Sequence, residues 1–233
     1  MIGFLNAYLF DQGQPAYQVA YQEMALGYLK QVMPLYSFRS YNVALGEMPI
    51  SPTECDGWII SGSAKSAYEE DQWIVSLGEF IRSCHHQKVK LLGLCFGHQL
   101  IAHALGGEVR PAEQGWGGGV RTFILSETFP WCGDDQPGKK ISLLYSHRDQ
   151  VLALPPGGES LATDHFCPTT LYRVGEHILS LQGHPEFTRE FASARYQARR
   201  SMIPPLIFLR GQESLEEETH ELLVGEWFRR FFR

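Results

Sequence analysis

Short apolar runs alternate along this chain with segments whose apolar residues recur at helical spacing. That order predicts βαβ units and a mostly parallel sheet flanked by helices. Met1–Asn6 reads as the first strand, and Tyr17–Met33 as a helix closed by Pro34. Gly57–Ser61 reads as a buried strand entering a turn of small residues, Gly62-Ser63-Ala64. In the next segment Trp73, Ile74, Leu77, Phe80, Ile81 and Cys84 fall on one helical face, with Asp71 placed to cap it. Lys90–Leu94 then predicts a central strand, followed by a helix that carries Leu100, Ile101, Ala104 and Leu105 and ends at Gly106-Gly107. Between Glu108 and Val151, glycines and β-formers predict antiparallel strands at a sheet edge. Pro155–Gly158 is a turn, and Thr170–Val174 with His177–Gln182 reads as a hairpin around Gly175-Glu176. Thr188 is placed to cap a helix reaching about Met202, and Ser214 and Glu217 have the spacing of a capping box for a last helix ending near Phe232.

Composition narrows the class. The 233 residues are 44% hydrophobic and 20% charged, which is ordinary for a globular domain. A net charge of −6 with no basic stripe argues against a general nucleic-acid binder. The first ten residues lack a signal-peptide pattern, and no run reaches the length of a membrane span, so the cytoplasm is the expected compartment. The five cysteines are scattered, odd in number and without a C-x-x-C pair, so neither a disulfide framework nor a zinc site is expected.

One cysteine stands apart. Gly93-Leu94-Cys95-Phe96-Gly97 is a G-x-C-x-G between a predicted strand and a predicted helix, the setting of the nucleophile elbow known with serine. The glycines permit a sharp turn, the helix N-terminus favours thiolate over thiol, and the Phe96 N–H can face an oxyanion. A thiol of ordinary pKa still needs a base. Gly183-His184-Pro185-Glu186 follows an apolar strand, so His184 would sit at a strand C-terminus, where open α/β sheets build their sites, and Glu186 would hold its tautomer. His85 and His86 end an amphipathic helix and read as surface residues, and packing or surface roles suffice for His98 and His103.

The segments Leu92–Leu100 and Gly183–Phe187 closely resemble the nucleophile and His-x-Glu segments of class I glutamine amidotransferases. Ile60–Ser63 looks like the oxyanion loop of that family, and Ser146–Val151 like a wall of its glutamine pocket, all four in the family's order. The likeness extends to stand-alone GMP-synthase-like domains and γ-glutamyl peptidases. It spans roughly residues 57–187 and implies a flavodoxin-like fold; with no repeat or linker in the sequence, a single domain over residues 1–233 is expected, an open, mostly parallel α/β sheet with an antiparallel edge region, with a motif-bearing core to about residue 203 and, outside the likeness, a helical extension over about 204–233. It further implies a triad of Cys95, His184 and Glu186, with an oxyanion hole from the backbone N–H groups of Gly62 and Phe96. Gln99 and the backbone around Ser146 and His147 would hold the α-amino and α-carboxylate groups of a glutamyl substrate. No metal or organic cofactor is expected. The loop departs from the Gly-Gly-Pro of many members, since Ser61-Gly62-Ser63-Ala64 keeps the glycine donor but not the stiffening ring.

The expected reaction is hydrolysis of a γ-glutamyl amide through a thioester on Cys95. Ammonia as leaving group makes a glutaminase that feeds a separate synthase subunit; an amine makes a γ-glutamyl peptidase acting on peptides or glutathione conjugates. A chain of this length leaves no room for an ATP-dependent synthase domain of its own, which raises the hydrolase reading. A non-catalytic regulatory or binding module of the same fold is a further alternative, opposed by the presence of all three triad residues. The terminal Glu226–Arg233, mixing aromatics with arginines, is expected to pack on the domain rather than on a membrane or partner.

Overall fold

The computed structural model describes residues 1–8 and 15–233, with side chains described at 1–8 and from 20 onward. Its strands are β1 (Ile2–Leu5), β2 (Phe38–Tyr41), β3 (Gly57–Ile60), β4 (Lys90–Leu94), β5 (Glu108–Pro111), β6 (Gly117–Leu125), β7 (Lys140–His147), β8 (Asp149–Ala153), β9 (Gly158–Thr163), β10 (Leu171–Val174) and β11 (Ile178–Leu181). Its helices are α1 (Pro15–Val32), α2 (Gln72–Gln87), α3 (Phe96–Ala104), α4 (Arg189–Ala198), α5 (Pro205–Glu213) and α6 (Glu221–Phe231). Among the described residues one nine-stranded sheet runs β2-β1-β3-β4-β11-β10-β9-β6-β7. The pairings from β2 through β11 are parallel and those from β11 to β7 antiparallel. The antiparallel part predicted from the Gly-rich middle is thus a substantial wing, and β5 and β8 leave it to form a separate two-stranded ribbon.

The inner parallel strands β1, β3, β4 and β11 are buried on both faces, which removes the polar alternation that the edge strand β2 keeps. Ile59, Leu92 and Leu179 point into one core, which α1 and α6 cover; Trp58, Ile60, Leu91 and Ile178 point into the other, against α2 and α3. In register, Ile60 lies beside Gly93 and Leu94 beside Leu181. The C-terminal ends of β3, β4 and β11 are therefore neighbours, and the next residues of all three segments meet at one edge of the sheet.

Several local expectations need correction. Asp71 occupies the N-cap of α2 but makes no side-chain cap bond; its carboxylate pairs with Lys65 at 2.9 Å instead. Ser214 and Glu217 do not cap the last helix, which begins at Glu221. Ser214 Oγ accepts from the Val120 N–H and donates to the Gly211 carbonyl, fastening the end of α5 to β6. Helix α4 ends at Ala198, short of Met202, and α5 was not read from the sequence at all. Thr188 does cap α4, accepting from the Phe191 N–H at 3.2 Å. His85 is half-buried and hydrogen-bonded to His177 across 2.9 Å rather than standing at the surface. The terminal aromatics pack inward: Trp227, Phe228 and Phe231 are fully buried, and Trp227 Nε1 donates to Asp135 Oδ2 at 2.9 Å. No helix among the described residues is long and apolar enough to cross a membrane.

Candidate functional site

Cys95 is the first residue after β4 and the N-cap of α3, with φ 51° and ψ −98°. A side chain in that region costs about 1–3 kcal/mol, and such strain persists only where the surroundings fix it. Here they do. The Cys95 N–H donates to the Leu181 carbonyl and the Gly97 N–H to the Ser61 carbonyl, so β11 and the end of β3 hold both sides of the turn. The glycines are required by close approach: a Cβ on Gly97 would stand 2.4 Å from the Ile60 carbonyl oxygen, and one on Gly93 2.7 Å from Ile101 Cδ1. The turn leaves the first N–H groups of α3, beginning with Phe96, without intrahelical partners.

His184 lies beyond the end of β11 and is 3% exposed. Its backbone bridges to Leu144 on β7, its ring stacks on Phe187 with centroids 3.8 Å apart, and its Nδ1 lies 2.8 Å from Glu186 Oε1. The other ring nitrogen is then left for Cys95, whose side chain shares the space beside Gly62 with the ring and whose charge acts on it. Burial would depress this imidazole, but the charges of Cys95 and Glu186 and the hydrogen bond to Glu186 outweigh it and raise its pKa to about 10. The two neighbouring charges thus favour the protonated ring between a sulfur and a carboxylate, and a ring so placed can exchange a proton with the sulfur and deliver one to a departing group.

The loop after β3 completes the same edge. Gly62 lies close enough to the pair that a Cβ there would be 2.9 Å from His184 Cε1 and 3.7 Å from Cys95 Cβ. Ser61 is fully buried; its Oγ accepts from the Ala7 N–H at 2.9 Å and donates to the Gly62 carbonyl at 3.0 Å. These bonds tie the loop to the segment after β1, which supplies by hydrogen bonding the stiffness that a proline ring would have given. Tyr21 of α1, fully buried and stacked on Tyr8, donates to Glu186 Oε1 at 3.2 Å. Burial, then the Glu186 charge, raises the Tyr21 pKa well above its ordinary value, so it remains a donor. Nothing in the spacing of α1 singled Tyr21 out, because one tyrosine on an amphipathic face has no signature.

Cys95 opens into a cavity of about 210 Å³ whose wall includes Gln99, Ser146 and His147. The structure therefore brings these three expected pocket residues beside the cysteine, while His184 and Glu186 stand behind it. Gln99 Nε2 donates to the Asp149 carbonyl at 2.6 Å and to Gln182 Oε1 at 3.0 Å, so its amide is fixed rather than solvated. His147 Nδ1 is 2.9 Å from the Asp149 carbonyl, and burial holds this imidazole down at about 4, so it is neutral. Trp116 and Arg199 also line the cavity and were not read from the sequence. His98, four-fifths of a turn from Cys95 on α3, faces away into the core, where Nδ1 meets Ser180 Oγ at 3.0 Å. No cluster of three or more potential metal ligands occurs among the described residues.

This fold and edge geometry define a class of protein. A family model for class I glutamine amidotransferases matches residues 16–200, and the chain belongs to that family. Among similar proteins, gamma-glutamyl peptidase 3 of Arabidopsis thaliana is 34% identical over 139 residues, covering 58% of this chain and 56% of the relative. A GMP synthase [glutamine-hydrolyzing] of Thermomicrobium roseum is 33% identical over 135 residues, covering 56% of this chain but 23% of that longer protein. The chain thus matches less than two thirds of the length of these relatives. A crystal structure of a glutamine amidotransferase from Methylobacillus flagellatus superposes with a TM-score of 0.72 over 99% of this chain and 91% of its own, at 17% identity, a likeness of fold.

Proposed function

We propose that this chain hydrolyses a γ-glutamyl amide through a thioester on Cys95, releasing glutamate and either ammonia or an amine. The observation that carries the reading is the strained Cys95 lining a polar cavity, beside a buried His184 that is bound in turn to Glu186. The thiolate attacks the side-chain carbonyl carbon, and the N–H groups of Gly62 and Phe96 receive the oxyanion, each such donor being worth about 10²–10³-fold in rate. As the tetrahedral intermediate collapses, His184 gives its proton to the leaving nitrogen and the C–N bond breaks. A water molecule, deprotonated by the now neutral His184, attacks the thioester, and glutamate leaves with regeneration of the thiolate and imidazolium. Glu186 keeps one tautomer in place throughout. Gln99 and the Ser146–His147 backbone position the α-amino and α-carboxylate groups.

A second reading, a γ-glutamyl peptidase in which an amino acid or peptide amine departs, is favoured by the similarity to plant proteins named for that activity. With ammonia as product, an acceptor site on a synthase subunit would consume it. The test is an assay of the pure protein with glutamine, γ-glutamylglycine and glutathione, following glutamate and amine release, together with labelling of Cys95 by a glutamine-derived chloroketone. Preference for the peptides supports the peptidase, and turnover of glutamine alone supports the glutaminase. No labelling of Cys95 in the folded protein sinks both and leaves the non-catalytic module.

A further inference from the structure

The residue after Glu186 meets the same imidazole from another direction. Phe187 is buried, and its ring lies over one face of the His184 ring with centroids 3.8 Å and planes 15° apart. That is nearer than the roughly 4.5–7 Å of aromatic pairs in general, and well inside the ~6 Å over which the negative face of a ring attracts a cation. Two further rings stand across Phe187 and fix its plane: Tyr21 at 86° with centroids 6.3 Å apart, and Phe191 at 69° and 4.8 Å. Around the imidazole, Glu186 is bonded to Nδ1 from its own loop, Cys95 at the start of α3 acts on the ring by its charge, and His147 of β7 is neutral because burial holds it down at about 4. The Tyr21 hydroxyl of α1 donates to Glu186, and the Leu144 backbone that bridges to His184 carries no charge.

We propose that Phe187 is a positioning residue for His184: its ring holds the imidazole plane between Cys95 and Glu186, and its negative face favours the protonated imidazole over the neutral one. This rests on the Cys95–His184 pairing proposed above and not on which amine departs. A cation gains over a benzene face what a neutral ring does not, and at 3% exposure His184 has little water to screen that gain. The proton so favoured is the one that His184 must give to the leaving nitrogen. Phe187 therefore acts on the alkaline side of the pH profile, where that proton is lost. On the acid side the Cys95 thiol ionises with the imidazole protonated before and after, so that step is indifferent to the ring.

The test replaces Phe187 with mono-, di- and trifluorinated phenylalanine, which keep the shape of the ring while draining its face of negative charge, and with leucine (Phe187→Leu), which removes the face. The carbon NMR signal of the His184 ring, assigned by its loss from His184→Gln, is followed against pH in the protein without substrate. In parallel, kcat/KM for glutamate release is followed against pH with glutamine and γ-glutamylglycine. The His184 titration is expected to move down in pH with each added fluorine, by about one unit with the trifluorinated ring or leucine, the scale of one buried cation–π contact. The alkaline limb of kcat/KM should move with it and the acid limb should stay. A His184 titration unmoved through the fluorinated series overturns the proposal, as does a lowered kcat/KM with both limbs in place, since Phe187 would then only pack. A wild-type His184 that titrates below the ~6.5 of a free histidine overturns it too. A shifted titration in protein that turns over neither substrate supports the role of the ring and sinks the γ-glutamyl function alone.

Discussion

Gly62→Ala is the sharpest test of the idea that the oxyanion loop and the imidazole share one rigid space. The φ of Gly62 lies outside the left-handed range, so alanine can take the backbone without strain and the N–H donor survives. What changes is a methyl group 2.9 Å from His184 Cε1. Carbon atoms rest at about 3.5–4.0 Å, so the two must part by roughly 0.6–1.1 Å. The ring has little freedom to give way: Glu186 holds Nδ1 at 2.8 Å, Phe187 covers one face at 3.8 Å, and the backbone of His184 is bridged to Leu144. Displacements near 1 Å at a reacting group cost on the order of 10²-fold, so kcat for glutamate release should fall about 10–100-fold. Stability should fall by no more than about 1–3 kcal/mol, the usual cost of modest overpacking, as read by urea unfolding. Gly27→Ala is the control, since a Cβ there meets nothing within 4 Å on α1, and it should raise stability by about 0.5–1 kcal/mol with activity unchanged. A Gly62→Ala enzyme within about twofold of wild-type kcat, folded and at full activity per Cys95, refutes the shared-space argument, because the barrier change would be under about 0.4 kcal/mol.

Glu186→Gln removes one of the charges that lift His184 to about 10, so the imidazolium should be lost at lower pH; the alkaline limb of kcat/KM is expected to move down in pH, with kcat lowered by about 10²–10⁴-fold, and an unmoved limb would contradict the assignment. Tyr21→Phe keeps the stack on Tyr8 but deletes the hydroxyl that donates to Glu186; kcat should drop by about tenfold or more with KM unchanged, and steady-state kinetics showing the reverse split would point to a substrate role instead. At Cys95, glycine should be at least as stable as alanine in urea titrations, against the usual order, because the positive φ strains any Cβ by about 1–3 kcal/mol. Burial lowers His98 to about 3 in the folded chain, whereas an unfolded histidine titrates near 6.5; between those values only the unfolded state takes up the proton, so stability is full above about pH 6.5 and declines as the pH falls toward 3. Urea titrations of His98→Gln over pH 6.5–4 should show that decline reduced by up to about 1.4 kcal/mol per pH unit.

The parts of this molecule that the sequence disclosed are those where one local rule dominates. β3 and β4 read as continuous apolar runs because both faces are buried, and the elbow at Cys95 reads as paired glycines because a Cβ on Gly97 would stand 2.4 Å from the Ile60 carbonyl oxygen. The parts it hid depend on contacts made at a distance. Ser214-x-x-Glu217 has the letters of a capping box, but Ser214 is drawn to the Val120 N–H on β6, ninety-four residues away in sequence, and the helix starts later. α5 was missed because its apolar residues serve two environments: Phe208 is buried while Leu206 and Leu209 are exposed, which blurs the periodicity. Tyr21, Trp116 and Arg199 reach the site by side-chain length from elements with other work to do, and no spacing rule marks them.

Ser61 shows how a departure from a family pattern can leave the working geometry in place. On the proposed mechanism the loop after β3 must hold the Gly62 N–H still beside Cys95, and a proline would do so by fixing a backbone angle. In this chain the buried hydroxyl of Ser61 instead bonds to Ala7 and to the Gly62 carbonyl, while its own carbonyl accepts from Gly97 inside the elbow. The constraint has moved from a torsion within the loop to a set of bonds between three segments, the ends of β1 and β3 and the start of α3. A constraint of that kind transmits displacement: a shift of α3 relative to β1 alters the position of Gly62, which a proline-stiffened loop would resist. Ser61→Ala should therefore lower kcat with little change in KM, and the same enzyme with a Gly-Pro pair at residues 62 and 63 should recover part of the loss. Recovery would place the function of Ser61 in loop stiffness, and a loss untouched by the proline would overturn that role.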